Sequence, residues 1–313
     1  MWEIVGATAP HLRRSQLSSA RNDPSENQNG VSLTDRQARE LAYHRERAQQ
    51  HAEVANQGLK FDVVSSPQRR WWNPYWKVYS LIRNWDLSGK RALVVGCGFG
   101  KDAIRLTRLG MDVYAFDLSP ESLGIAEARA AKFADGPIHF EQMPAETLSY
   151  PNESFDLIFA VDIMHHVDIP VALREFRRVA KAGCIFVCSE LYTHSWLKSL
   201  RESPLVNRHL YPALAKWVCD GAELYITQDE RKLTEQDVAL LASALVRPQA
   251  DWFNAVVNRL LPDRITAAAM CDRVLMKMAK PLGRFLAGRV ILWGEVRRPE
   301  VASADVGYRE AAA

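Results

Sequence analysis

From Arg91 onward the chain alternates between two kinds of pattern. Ala92-Leu93-Val94-Val95 is a continuous apolar run closed by glycines, and Val113–Phe116, Ile138–Phe140, Leu157–Val161 and Cys184–Cys188 repeat it. Unbroken apolar runs, rather than strict alternation, fit strands buried on both faces. Between them lie stretches of helical character, Asp102 to Leu109, Pro120 to Phe133 and Ile169 to Ala180. Strand and helix in alternation from 91 to 188 predict a parallel sheet with right-handed crossovers and a ligand site at the carboxyl ends of the strands. After Glu190 the alternation stops. Residues 191–243 read as helices with a hinge near Ser203-Pro204, a weak strand covers Ala244 to Phe253, a mostly helical stretch runs to Gly288, and Arg289–Val296 is a last strand. The fold class is therefore α/β, with a doubly wound, mostly parallel seven-stranded sheet, an N-terminal helical segment, and helical insertions after strand five and before the last strand.

Ahead of the core, Ser32 precedes a segment of high helical propensity that predicts a helix from about 34 to 57. Residues 15–31 are rich in Ser, Asn and Gln and offer too little apolar surface to offset the entropy of ordering. This gives five units: a flexible extension (1–31), a helical cap (32–87), a Rossmann-like core (88–190), helical insertions with the final strands forming a substrate cap (191–298), and a flexible tail (299–313). The aromatic cluster Trp71, Trp72, Tyr75, Trp76 and Tyr79 either docks the cap onto the sheet or walls a substrate pocket, and packing is the favoured reading.

Composition narrows the partners. The net charge is only +3, with basic and acidic residues interspersed, which removes any bulk electrostatic case for nucleic acid. The five cysteines show neither CxxC pairs nor zinc-type spacing, so no metal site is expected and a reduced, cytoplasmic setting fits best. No uncharged apolar run is long enough for a signal peptide or a transmembrane segment.

Gly96-Cys97-Gly98-Phe99-Gly100 lies directly between a buried strand and a helix, where a backbone must approach a ligand without a Cβ in the way. Asp117 ends the second strand about twenty residues on, placed to accept from ribose hydroxyls. The two describe a site for an adenosine-containing ligand, which NAD and S-adenosylmethionine (SAM) both satisfy. Dinucleotide sites take GxGxxG with a helix N-terminus facing the pyrophosphate, whereas here the glycines fall as GxGxG.

That spacing resembles the class I SAM-dependent methyltransferases of small-molecule type, and the likeness continues through Asp117-Leu118-Ser119-Pro120, Pro144-Ala145-Glu146, Phe155–Ile158 leading into Asp162-Ile163-Met164-His165-His166-Val167, and Leu173–Val179. It covers roughly residues 88–190. The resemblance implies that Gly96, Cys97, Gly98 and Gly100 face the methionine and ribose of SAM, Asp117 the ribose, and Leu118 the adenine. It further implies an amide from Ala145 to the adenine ring, with Glu146 beside it, while Asp162 and Ile163 line the methionine side and the pocket mouth. Two positions depart from the family pattern: Val94 and Pro144 stand where acidic residues are common.

A sulfonium methyl is already electrophilic, so in-line placement of the acceptor at about 3 to 3.5 Å supplies most of the catalysis, with a base needed only for a protonated acceptor. His165 and His166 are the candidate bases, and either could instead orient the loop or contact SAM. Tyr43, His44 or Arg47 of the preceding helix could reach the cofactor or acceptor, or form an exposed charged face. Cys184 and Cys188 share one strand face and are read as core, and His139 as structural.

No Asn-Pro-Pro-Tyr-like element follows the fourth strand, which argues against a nucleic-acid acceptor. Trp196, Leu197, Leu200, Tyr211, Leu214, Trp217, Trp252 and Phe253 would give an apolar chamber for a bulky, partly hydrophobic small molecule, or would simply pack the insertions. Residues 254–292 interleave apolar and basic positions, as does a helix lying on an anionic membrane or, the favoured reading, a core helix with a solvated face. The expected function is SAM-dependent transfer to a small acceptor, with O-methylation favoured. The rivals are a nicotinamide-dependent oxidoreductase on the same sheet and an inactive SAM-binding partner protein.

Overall fold

The computed structural model describes residues 33–59, 61, 74–201, 203–204, 231–256, 265–279 and 282–298. The proposed extension (1–31), the tail (299–313), Trp71, Trp72, Tyr211, Leu214 and Trp217 lie outside the described residues.

The continuous apolar runs become strands as expected. β1 (Arg91–Val95), β2 (Asp112–Asp117), β3 (Ile138–Gln142), β4 (Phe155–Val161), β5 (Ala180–Leu191), β6 (Leu245–Phe253) and β7 (Arg289–Val296) form one sheet in the order β3-β2-β1-β4-β5-β7-β6. The first five strands pair in parallel, and β7 runs antiparallel to both β5 and β6. Sheet order reverses beside β1, so the crevice for a ligand opens at the carboxyl ends of β1 and β4. Ala92, Leu93, Val94 and Val95 are all buried, and their side chains alternate between two cores, one on each face of the sheet.

The crossover helices are α3 (Lys101–Thr107), α4 (Pro120–Phe133) and α5 (Ile169–Val179). α4 has its predicted bounds because Ser119 accepts from Ser122 N–H as N-cap and Pro120 occupies the first turn. β5 starts earlier than the Cys184–Cys188 run suggested, since Ala180 pairs with Phe155 and Lys181 is bonded to Asp156 at 2.7 Å. Cys184 and Cys188 are buried, as expected.

Before the sheet come α1 (Asp35–Gln50), a 3-10 turn (Ala52–Asn56) and α2 (Pro74–Ile82). Thr34 and Gln37 form a reciprocal capping box at the start of α1. The helix expected to continue to 57 breaks at His51, and Lys132 of α4 ties down the following turn through Ala55 O and Asn56 Oδ1. α2 docks by Tyr79, fully buried, whose hydroxyl donates to Asp102 of α3 at 2.9 Å. Past β5 lie α6 (Ser195–Arg201), α7 (Glu235–Ser243), α8 (Thr266–Met278) and the short α9 (Gly283–Leu286). Among the described residues no helix is long and apolar enough to cross a membrane, and no group of side chains could hold a metal ion.

Candidate active site

The glycine loop is built by backbone conformation. Gly96, Gly98 and Gly100 adopt φ of +60°, +51° and +75°, the left-handed region that side chains resist. Their open faces differ. A Cβ on Gly96 would meet Ile163 at 2.5 Å and one on Gly100 would meet Ala126 at 2.8 Å, whereas at Gly98 it would meet nothing within 4 Å. Gly96 and Gly100 therefore seat the loop against β4's following loop and α4, and Gly98 presents bare backbone to open space.

Asp117 holds this loop in place. Its Oδ2 accepts from Gly98 N–H at 2.8 Å and its Oδ1 from Ser119 N–H at 3.0 Å, which leaves further lone pairs on both oxygens for ribose hydroxyls. The support that an acidic residue at position 94 would have given the loop thus comes from the second strand. Val94 itself is buried core. Cys97 is buried, its N–H bonded to Phe116 O at 2.9 Å, and burial pushes its thiol well above the usual range. An open left-handed backbone beside a carboxylate with spare acceptor capacity fits the ribose and methionine portions of SAM.

Leu118, Ala145 and Glu146 lie on the neighbouring strand ends. Leu118 O accepts from Gln142 Nε2 at 3.1 Å, and Ala145 is buried. Glu146 braces the loops: Oε1 accepts from Asp168 N–H at 2.8 Å and Oε2 from Gln37 Nε2 of α1 at 3.0 Å.

The segment after β4 is organised by a residue that the sequence marked only as the end of strand five. Glu190, fully buried, accepts with Oε1 from Ile163 N–H at 2.7 Å and Met164 N–H at 2.6 Å, and its Oε2 lies 2.7 Å from His165 Nδ1. Oε1 thus takes two amides while Oε2 faces the imidazole, and with Glu190 ionised Nδ1 of His165 is the donor. Asp162, at φ +53°, has its amide on Ser189 O and pairs with Arg289 of β7 at 2.5 Å. Burial alone would raise the Asp162 carboxyl; Arg289 first and His165 next outweigh it and hold the group below the ordinary carboxylate range.

Helix α1 lies over the same loop. Arg36 donates to His165 O at 2.8 Å, and buried Glu40 sits 3.0 Å from His166 Nδ1 and 3.7 Å from His44 Nε2. Burial raises the Glu40 carboxyl, but His166, His44 and Arg36 together hold it below its ordinary value. His44 rings on His166 at 6.1 Å, and Arg47 covers Phe99 of the glycine loop at 5.3 Å, so this face of the helix points to the site rather than to solvent. Tyr43 stands edge-on to His44. His139 is surface-exposed, stacked on Tyr114 at 4.4 Å and 3.7 Å from Asp112.

The expected apolar chamber is only partly assembled by described residues. Trp252 packs on Tyr192 at 4.6 Å near the end of β5, and Trp196 is half exposed. Phe253 packs into the core on one face of the sheet under Lys77, which answers the alternative for that residue in favour of packing.

Fold and site geometry define an α/β domain with a crevice suited to an adenosine-containing ligand. Residues 93–188 match a protein family described as "Methyltransferase domain", and this portion of the chain is a class I SAM-dependent methyltransferase domain. The chain is similar to ubiquinone biosynthesis O-methyltransferases of Cereibacter sphaeroides: 30% identical over 164 residues (45% of this chain, 63% of the relative) in one strain, and 29% over 205 residues (57% and 78%) in another. A probable phthiotriol/phenolphthiotriol dimycocerosates methyltransferase of Mycobacterium ulcerans is 35% identical over 136 residues, 42% of this chain and 50% of the relative. The chain thus spans from half to about four fifths of these relatives' lengths. Geranyl diphosphate C-methyltransferase from Streptomyces coelicolor shares the fold at a TM-score of 0.53 and 12% identity, over 85% of this chain and 100% of that one. The matches are to methyltransferases, as expected over the nicotinamide-dependent reading.

Proposed function

We propose that the chain transfers a methyl group from SAM to a hydroxyl of a small, partly hydrophobic acceptor, with His165 as the base. The carrying observation is the bond from His165 Nδ1 to the buried Glu190. Donation from Nδ1 fixes the tautomer whose Nε2 carries the lone pair, and the adjoining carboxylate stabilises the imidazolium formed when a hydroxyl proton is taken. Gly96, Gly98 and Asp117 would hold the methionine and ribose of SAM, which supplies an electrophilic methyl when bound. The two ubiquinone-biosynthesis relatives named above are O-methyltransferases, which supports a hydroxyl acceptor. The described cysteines Cys97, Cys184, Cys188 and Cys271 are free thiols, in keeping with a reducing, cytoplasmic setting.

The test is methyl transfer from labelled SAM to a panel of hydroxylated aromatic acceptors, with calorimetric titration of S-adenosylhomocysteine alongside. His165→Ala should lower turnover by about a hundredfold or more while leaving S-adenosylhomocysteine affinity within about twofold. Asp117→Ala should remove detectable binding. Full turnover in His165→Ala would overturn the base assignment, and tight binding without transfer to any acceptor would favour the inactive binding protein.

A further inference from the structure

Helix α8 is turned inside out relative to an ordinary amphipathic helix. Its inner side packs Met276 against the core and otherwise carries small or polar groups, Ala268, Ala269 and Asp272, the last accepting from Val256 N–H at 2.8 Å. Its outward side carries the large apolar ones: Met270, Val274 and Met278, spaced i, i+4, i+8, are more than half exposed, Met278 at 80%. Leu275 and Ile265 are exposed beside them, and Leu282 extends the ridge past the helix end. Isolated exposed apolar residues are ordinary, but a ridge aligned along one helix face marks a surface with an occupant. The residue pattern at 254–292 favoured a core helix with a solvated polar face; the structure places the apolar face in solvent.

Charge identifies the occupant. Arg273 and Lys277, both exposed and one turn apart, run along one flank of the ridge, and exposed Arg284 lies beyond it. Between Ile265 and Arg289 the only carboxylate is Asp272, which faces inward. A ridge of Met, Val and Leu with a basic border, and with no outward acid within residues 265–289, complements an anionic lipid surface, where apolar groups enter the acyl boundary and cations meet headgroups. A second copy docking on the same face would bring the two basic rows together.

The chain links this helix to the site. α9 is the next helix after α8; Phe285 packs tilted against His194 at 4.7 Å, and Arg289, three residues past α9, pairs with Asp162 in the site. We propose that the outward face of α8 is a peripheral membrane-binding surface that seats this flank of the site on anionic phospholipid. The proposal stands independently of the acceptor and of the base assigned above.

It is tested by cosedimentation of the full chain with vesicles of phosphatidylcholine, alone or mixed with phosphatidylglycerol. The wild type should bind the anionic vesicles and lose binding at high salt. Val274→Glu/Met278→Glu should reduce partitioning at least tenfold with an unchanged circular dichroism spectrum. Arg273→Gln/Lys277→Gln, which leaves the ridge intact, should reduce it several-fold and flatten the salt dependence. Failure of the wild type to bind anionic vesicles, or binding by both variants equal to that of the wild type, would overturn the proposal. So would a concentration-dependent dimer in sedimentation velocity, lost in Val274→Glu/Met278→Glu, without vesicle binding, which assigns the ridge to a second copy.

Discussion

His165 and His166 are sequence neighbours with ring centroids 4.0 Å apart, yet they are held by two differently built regions. His165 is anchored from inside the sheet, by a β5 carboxylate that also accepts the two backbone amides preceding it. His166 is anchored from outside, by Glu40 on a helix that precedes the core in the chain and reaches the loop through the side chains of Arg36, Gln37 and Glu40. The inner anchor cannot let go without disturbing the central strands. The outer one depends on α1 staying docked, and docking joins the loops after β3 and β4, because Gln37 holds Glu146 while Arg36 holds His165 O. One histidine is held by the sheet and the other by a docked helix, which is why His165 is the proposed base.

The largest effect follows from breaking the inner anchor. Glu190→Ala leaves the Ile163 and Met164 amides and the His165 ring without their partner, and each such loss costs roughly 1–3 kcal/mol. Stability should fall by roughly 3 kcal/mol or more in chemical denaturation, and turnover by about a hundredfold. Glu190→Gln restores an oxygen for the amides but cannot carry the charge beside the imidazole, so it should recover most stability and little turnover. Equal recovery of both would reduce Glu190 to a loop clamp.

Breaking the outer anchor should cost less. Glu40→Gln removes the charge facing His166 and His44 without emptying the space. About a tenfold loss of turnover is expected, with global stability changed by about 1 kcal/mol or less. A loss as large as that of Glu190→Gln would erase the distinction between the two histidines and move the base to His166.

These anchors also mark where sequence reading stops. The strands were legible because a strand buried on both faces must be an unbroken apolar run, and the start of α4 was legible because Ser119 and Pro120 write it. The glycine loop and Asp117 were legible because their function fixes their spacing. Nothing fixes the separation of Glu190 from His165, of Glu40 from His166, or of Arg289 from Asp162: those contacts arise only when strand order is known. One signal was present. A carboxylate at the end of the apolar Cys184–Cys188 run has to be paired once buried, and backbone amides and a histidine were the nearest candidates. Helix α8 was misjudged for the converse reason, since periodicity gives a helix its two faces but not which of them turns inward.

The smallest effect separates the two regions most cleanly, and it is a dependence on pH. His44 lies on α1 facing Asp117, Glu40, His166 and Arg47; burial is the largest influence and lowers its pKa, Asp117 and Glu40 oppose this, and His166 and Arg47 add to it. The folded pKa is below the ordinary value of about 6.5, so between the two the unfolded or undocked helix binds more protons than the docked one. Docking must then weaken as pH falls below about 6.5. Glu40, held below its ordinary value of 4.5, pulls in the same direction only at lower pH, its contribution being lost as pH falls through its folded pKa. Hydrogen exchange, corrected for intrinsic rates, should therefore show α1 amides opening several-fold faster at pH 5 than at pH 7, while amides of β4 and β5 keep their protection. His44→Gln should flatten the α1 response. If α1 and β5 open together as pH falls, the helix is not a separable unit, and His166 is then anchored as permanently as His165.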